Sequence, residues 1–213
     1  MPRPANGTAA DSDRNSGRPG VLILACGALA KEILELNQAN QWDAFDLHCI
    51  PAKYHNYPDE IPGLVREELR RFKPEYEKIF VAFGDCGTGG LLDKVLEEEA
   101  VERLPGAHCY AFFAGLKQFD DLHEEEIGSF YFTDFFVRHF ENIMIKPYGL
   151  DNPVMKEMMF NNYKRVVYLA QSPTPELQQQ AKQHADYLGL DYVYKYTGYG
   201  ELEKKLTQIV EVI

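Results

Sequence analysis

The stretch that most constrains the fold covers residues 78–96, KIFVAFGDCGTGGLLDKVL. Residues 79–83 have the length and composition of a buried parallel strand, and a helical spacing of apolar residues begins at Leu91. A glycine-rich turn that contains Cys86 lies between them. In an open α/β sheet, ligands bind at such turns, beside the carboxyl ends of the strands. We therefore predict an α/β fold with a site at this turn.

The pattern of strand, turn and helix recurs along the chain. Apolar runs at 21–25, 45–50, 107–113, 166–170 and 191–196 predict five further strands, each followed by a helical pattern. The prediction is a single Rossmann-like α/β domain over residues 21–213, with a largely parallel sheet flanked by helices and a helical insertion over residues 116–163. Residues 1–20 are polar and rich in Gly and Pro, so we expect a disordered tail there.

Charge and hydropathy exclude several classes of partner. The net charge of −11 disfavours nucleic acids and anionic membranes, because both require a basic surface. No apolar run is long enough to cross a bilayer, and the first residues lack the apolar core of a signal peptide. We expect a cytoplasmic protein that binds neither nucleic acid nor membrane.

Four cysteines, Cys26, Cys49, Cys86 and Cys109, form no C-x-x-C pair. A reducing compartment disfavours disulfides between them. Cys26 ends the first predicted strand and Cys86 follows another, so both thiols should reach the same edge of the sheet. Cys109 lies early in the predicted strand 107–113, which makes it a weaker partner.

Two histidines lie near the end of the second predicted strand: His48 is within the strand and His55 is beyond it. His55 lies on the loop after this strand, again at the edge where ligands bind. His48 and Cys49 point to opposite faces of the strand, so only one of them is expected to reach a shared site.

Thiolates are the ligands that zinc, copper(I) and iron–sulfur clusters prefer. We predict a metal ion or iron–sulfur cluster with Cys26 and Cys86 as its main ligands. The reserve ligands are Cys49, Cys109, His48 and His55. The residues predicted to shape the cofactor-binding turn are Gly84, Asp85, Gly87, Thr88 and Gly89.

Two alternatives stay open. Cys86 could act as a metal-free nucleophile with His55 as its base, although the neighbouring Asp85 opposes an unassisted thiolate and so favours a metal. The glycine turn could also belong to a binding module for a phosphate-bearing or corrinoid ligand, but it lacks the spacing of the P-loop and of G-x-G-x-x-G.

Four segments, residues 26–29, 48–56, 84–90 and 133–135, together resemble the family catalogued as domain of unknown function 1638. The resemblance extends from Val21 to the C-terminus, and the family name implies no activity or cofactor. Its members are associated with bacteria and archaea that carry corrinoid-dependent methyl-transfer systems. The resemblance therefore implies a context in one-carbon metabolism, with a small molecule or a corrinoid-system protein as partner.

Overall fold

A computed structural model describes residues 20–211, and the predicted tail lies outside these residues except for Gly20. The α/β class is confirmed: parallel sheets are flanked by helices. The strands divide between two sheets, whereas a single sheet was predicted. Within the described range, none of the helices has the length and apolar character that crossing a bilayer requires.

The first sheet has four parallel strands. They are β1 (Val21–Cys26), β2 (Phe45–Ile50), β3 (Lys78–Ala82) and the short β4 (Glu102–Arg103), in the order β2-β1-β3-β4. Helix α1 (Ala30–Asn40) covers one face, and α2 (Ile61–Phe72) and α3 (Leu91–Glu99) cover the other. The chain leaves β1 toward β2 and returns to β3 on its other side. This reversal opens a crevice at the carboxyl ends of β1 and β3.

One predicted strand is a helix. Residues 107–113 were predicted as the fourth strand, but the structure has helix α4 over Cys109–Ala114. Phe112 and Phe113 pack against the first sheet, while Ala114 and Tyr110 pack against the second. A helix enclosed on all sides is apolar all round, so its sequence shows no helical period and resembles a buried strand.

The second sheet contains β5 (Ser129–Phe132), β6 (Arg165–Ala170) and β7 (Asp191–Tyr196), all parallel and in that order. Residues 116–163, predicted as a helical insertion, thus also contribute a strand, β5. The helices of this segment are α5 (Leu116–Glu125), α6 (Asp134–Phe140), α7 (Lys146–Tyr148) and α8 (Pro153–Phe160).

The last two helices pack on different sheets. Helix α9 (Pro175–Leu188) packs with α6 and α8 on one face of the second sheet, and α5 covers the other face. Helix α10 (Gly200–Glu211) returns to the first sheet, where Leu202, Leu206 and Ile209 join its core. The carboxyl ends of β1, β3 and β5 consequently approach one another.

Candidate functional site

A cavity of about 230 Å³ lies where the two sheets meet. Its wall includes Cys26 at the end of β1, Gly84 after β3 and Thr133 after β5. The part of the chain that carries β5, β6 and β7 is called the second half, and the part that carries the first sheet is called the first half. The second half contributes an aromatic and thioether surface that includes Phe130, Phe135, Phe136, Met144 and Met159.

Three thiols, those of Cys26, Cys86 and Cys109, line this cavity. Cys26 is close enough to Cys86 for the charge of one to affect the other, and Cys109 is similarly close to both. Cys49 is also this close to Cys26. Cys49 lies on β2 opposite Ala25 and is not among the cavity-lining residues. Cys109 thus joins Cys26 and Cys86 because it begins a helix at the crevice instead of a strand on the far side.

All three thiols are held in their neutral form. Burial raises the pKa of Cys26 to about 12 and that of Cys86 to about 11, and it raises the pKa of Cys109 well above its ordinary value. Backbone N–H groups oppose this effect: that of Ala28 at Cys26, and those of Gly84 and Cys109 at Cys86. These donors would stabilise thiolates if a cation were present.

The turn after β3 holds Cys86 beside the start of α4. The backbone N–H of Cys86 donates to the carbonyl of Ala107 at 2.8 Å, and that of Asp85 donates to Gly106 at 3.1 Å. A Cβ on Gly84 would lie 3.1 Å from the backbone of His108, so only glycine fits without displacement. Cys86 itself has φ 50, a left-handed conformation that few non-glycine residues adopt. Such strain is often found at functional sites.

Asp85 stabilises the turn from within. Its carboxylate accepts hydrogen bonds from Thr88 Oγ1 at 2.6 Å and from the N–H groups of Gly90 at 2.8 Å and Gly89 at 3.2 Å. Burial opposes ionisation of Asp85, but these bonds and the N–H of Gly87 lower its pKa. Of the predicted cofactor-binding residues, Gly84 lines the cavity, whereas Asp85, Gly87, Thr88 and Gly89 form the turn behind it.

His55 lies in a 3-10 turn, Ala52–Asn56, that lines the cavity. Desolvation and the neighbouring His108, whose ring centroid is 6.1 Å away, lower the pKa of His55. A neutral imidazole is able to bind a metal or accept a proton. His48 faces elsewhere: its Nε2 lies 3.2 Å from the Glu68 carboxylate, and it does not line the cavity.

Among residues 20–211, no group of three or more His, Cys, Asp or Glu side chains is arranged closely enough to hold a metal ion as it stands. Binding through the three thiols would therefore require their side chains to turn toward a common point.

A buried ionic cluster between the two halves was not predicted from the sequence. Asp134 is 0% exposed and accepts hydrogen bonds from Tyr168 Oη at 2.7 Å and from the Ser172 N–H at 2.8 Å. Arg138 lies 3.4 Å from Asp134 and 3.9 Å from Glu32 of α1. A sequence signal existed, because Glu32 occupies a position between Leu29 and Leu36 on the apolar face of its helix.

Comparisons with known proteins give a family. Neither the curated proteins nor the solved structures contain a match to this chain. A family model matches residues 49–206 of the 213, a range that includes Cys86, Cys109 and His55 and leaves out Cys26. The chain therefore belongs to the family described as Protein of unknown function (DUF1638).

Proposed function

We propose that Cys26, Cys86 and Cys109 together bind a soft metal ion or an iron–sulfur cluster in the wall of the cavity. The observation that carries this proposal is the proximity of three thiols, from three separate elements, in one enclosed and largely apolar space. Thiolates are ligands that soft metals prefer, and three of them suffice for a site that keeps one position open.

The electrostatics of the site support the same proposal. The thiols are neutral because burial disfavours their charged forms, and each thiolate would repel the other two. A metal cation removes both penalties, since it supplies the opposite charge at the centre of the group. The N–H groups around Cys26 and Cys86 then serve as donors to the bound sulfurs.

The remainder of the cavity supports a role beyond structure. A metal with three protein ligands keeps a coordination position for water, a substrate or a fourth ligand. That position would face an aromatic and thioether surface, which suits the apolar body of a small organic ligand. His55, at the rim, is the candidate for a fourth ligand or for a base.

The raised pKa values of the thiols disfavour a metal-free nucleophile. With a pKa near 11, Cys86 contains almost no thiolate at neutral pH, and the charge of Asp85 contributes to that value. The apolar wall favours a second candidate, a metal-free cavity for a small molecule. A role in corrinoid-linked methyl transfer stays a prediction from the sequence.

The test is the metal and sulfide content of protein purified without oxygen, together with its visible spectrum. Iron with sulfide is expected for a cluster, and zinc or copper alone for a mononuclear site. Cys26→Ser, Cys86→Ser and Cys109→Ser should each lose most of the metal, and Cys49→Ser is the matched control that should retain it. Metal-free wild-type protein, or equal losses in all four variants, would contradict the proposal.

A further inference from the structure

The loop between β2 and α2 covers the cavity from the side of the first sheet. It consists of two 3-10 turns, Ala52–Asn56 and Pro58–Glu60, and neither turn contains a buried residue. The first turn nevertheless contributes Lys53, His55 and Asn56 to the cavity wall. Tyr54 is half-buried and packs on the core of the first sheet, but a loop without a fully buried side chain separates at a smaller free-energy cost than a core element.

One hydrogen bond joins this loop to the second half of the molecule. Tyr148 Oη donates to Asn56 Oδ1 at 3.1 Å, across a separation of 92 residues in the chain. Both side chains line the cavity, so the bond spans its rim. The other end of the loop rests on the glycine turn, where Pro58 lies 3.6 Å from the position a Cβ on Gly87 would take.

The two partners of this bond differ in how firmly they are anchored. Tyr148 belongs to α7, which follows a π-helical turn, Glu141–Ile145, and precedes Gly149 at φ 60. Met144 and Leu150 on either side of α7 are buried in the core of the second half. The loop is likewise flanked by buried residues, Ile50 and Ile61, but these lie farther apart in the chain than Met144 and Leu150. The loop that carries Asn56 therefore has more freedom to move than Tyr148.

We propose that residues 52–60 form a lid, held closed by the Asn56–Tyr148 hydrogen bond, that controls access to the three cavity thiols. The purpose of the lid rests on the proposed function, but its opening depends only on the loop and on Tyr148. Opening would also carry His55 away from the thiols, because His55 belongs to the same 3-10 turn as Asn56. Closure then both shields the site and completes its set of side chains.

The test measures how fast each cysteine of metal-free protein reacts with N-ethylmaleimide, by peptide mapping with mass spectrometry. Tyr148→Phe removes the donor and leaves the ring, so it should accelerate labelling of Cys26, Cys86 and Cys109 about fivefold, the effect of one hydrogen bond. Cys49, outside the cavity, is the internal reference and should react at its wild-type rate. Tyr57→Phe is the matched control, since this ring lies on the same loop and is 59% exposed.

A second variant, Asn56→Ala, removes the acceptor and should produce the same acceleration if Tyr148→Phe fails to fold. Wild-type labelling rates in both variants, or an equal acceleration of Cys49, would overturn the lid. Metal content is measured separately on the same variants. If the wild-type protein binds no metal but the variants label faster, the metal proposal fails and the lid is supported. If the protein binds metal but the variants label at the wild-type rate, only the lid is overturned.

Discussion

The protein is expected to lose stability as the pH rises from 5 to 8, and Glu32→Gln should remove most of this loss. Glu32 is 2% exposed, and its Oε2 has no hydrogen-bond partner within the described range. The nearest cationic atom, Nη1 of Arg138, is 3.9 Å away, and that guanidinium also contacts Asp134. Burial raises the pKa of Glu32 from 4.5 to about 7, although its own N–H and Arg138 oppose the rise.

The sign of the effect follows from proton binding. Between pH 4.5 and 7 the folded protein holds a proton on Glu32 that the unfolded chain has released, so stability falls as the pH rises through this window. At about 1.4 kcal/mol per pH unit, the full loss is about 3 kcal/mol above pH 7. By the same relation, the free energy of unfolding falls by about 2.5 kcal/mol between pH 5 and pH 8.

The assay is urea unfolding of wild-type and Glu32→Gln protein at both pH values. The free energy of unfolding of the wild type should fall by about 2.5 kcal/mol more than that of the variant. Glu35→Gln, on the same helix, is the control of opposite sign. Burial opposes ionisation of Glu35, but hydrogen bonds from Lys31 and Tyr199 lower its pKa, so its contribution is present at pH 8 and lost as the pH falls toward 4.

Glu35→Gln should therefore destabilise the protein at pH 8, by less than about 1 kcal/mol because the pair with Lys31 is partly exposed. Parallel pH profiles of the wild type and Glu32→Gln would refute the reasoning. They would mean that Glu32 is ionised in the folded protein throughout the range.

Three further substitutions and one control test the packing, each by thermal or urea unfolding. Asp134→Ala should cost about 3–5 kcal/mol, because it leaves the buried Tyr168 hydroxyl and two backbone N–H groups without their acceptor and removes the nearer carboxylate from Arg138. Asp121→Ala, at a 59% exposed side chain, should change stability by under about 0.5 kcal/mol. Gly200→Ala should destabilise by about 3 kcal/mol, since its Cβ would clash with the Phe113 carbonyl oxygen. Gly63→Ala, in helix α2 with nothing within 4 Å of its Cβ, should stabilise by about 1 kcal/mol.

Much of the fold could be predicted from local patterns. Apolar runs bounded by turn residues located β2 and β7 at their observed bounds and β1, β3 and β6 to within one residue at each end. Pairing between strands could not be predicted, because apolar runs do not say which strands share a sheet. The division into two sheets depends on α4, whose enclosure hides its helical period.

Part of the candidate site could also be predicted from local patterns. The placement of Cys26 and Cys86 at the carboxyl ends of two parallel strands was predicted, whereas the pairing of β1 with β3, which brings these ends side by side, was not. Cys109 was underrated because its segment was assigned to a strand. The lid contact of Asn56 with Tyr148 joins residues 92 apart, and no local pattern encodes such a pair.

The most direct test of the central proposal is the number of protons released when zinc binds to metal-free protein at pH 7. Calorimetric titrations in buffers of different ionisation enthalpy give this number. Because Cys26 and Cys86 have pKa values of about 12 and 11 and that of Cys109 is also raised, about three protons should leave per metal ion. Cys49→Ser should also release three and Cys26→Ser two or fewer. Absence of stoichiometric binding, or binding without proton release, would contradict a three-thiolate site.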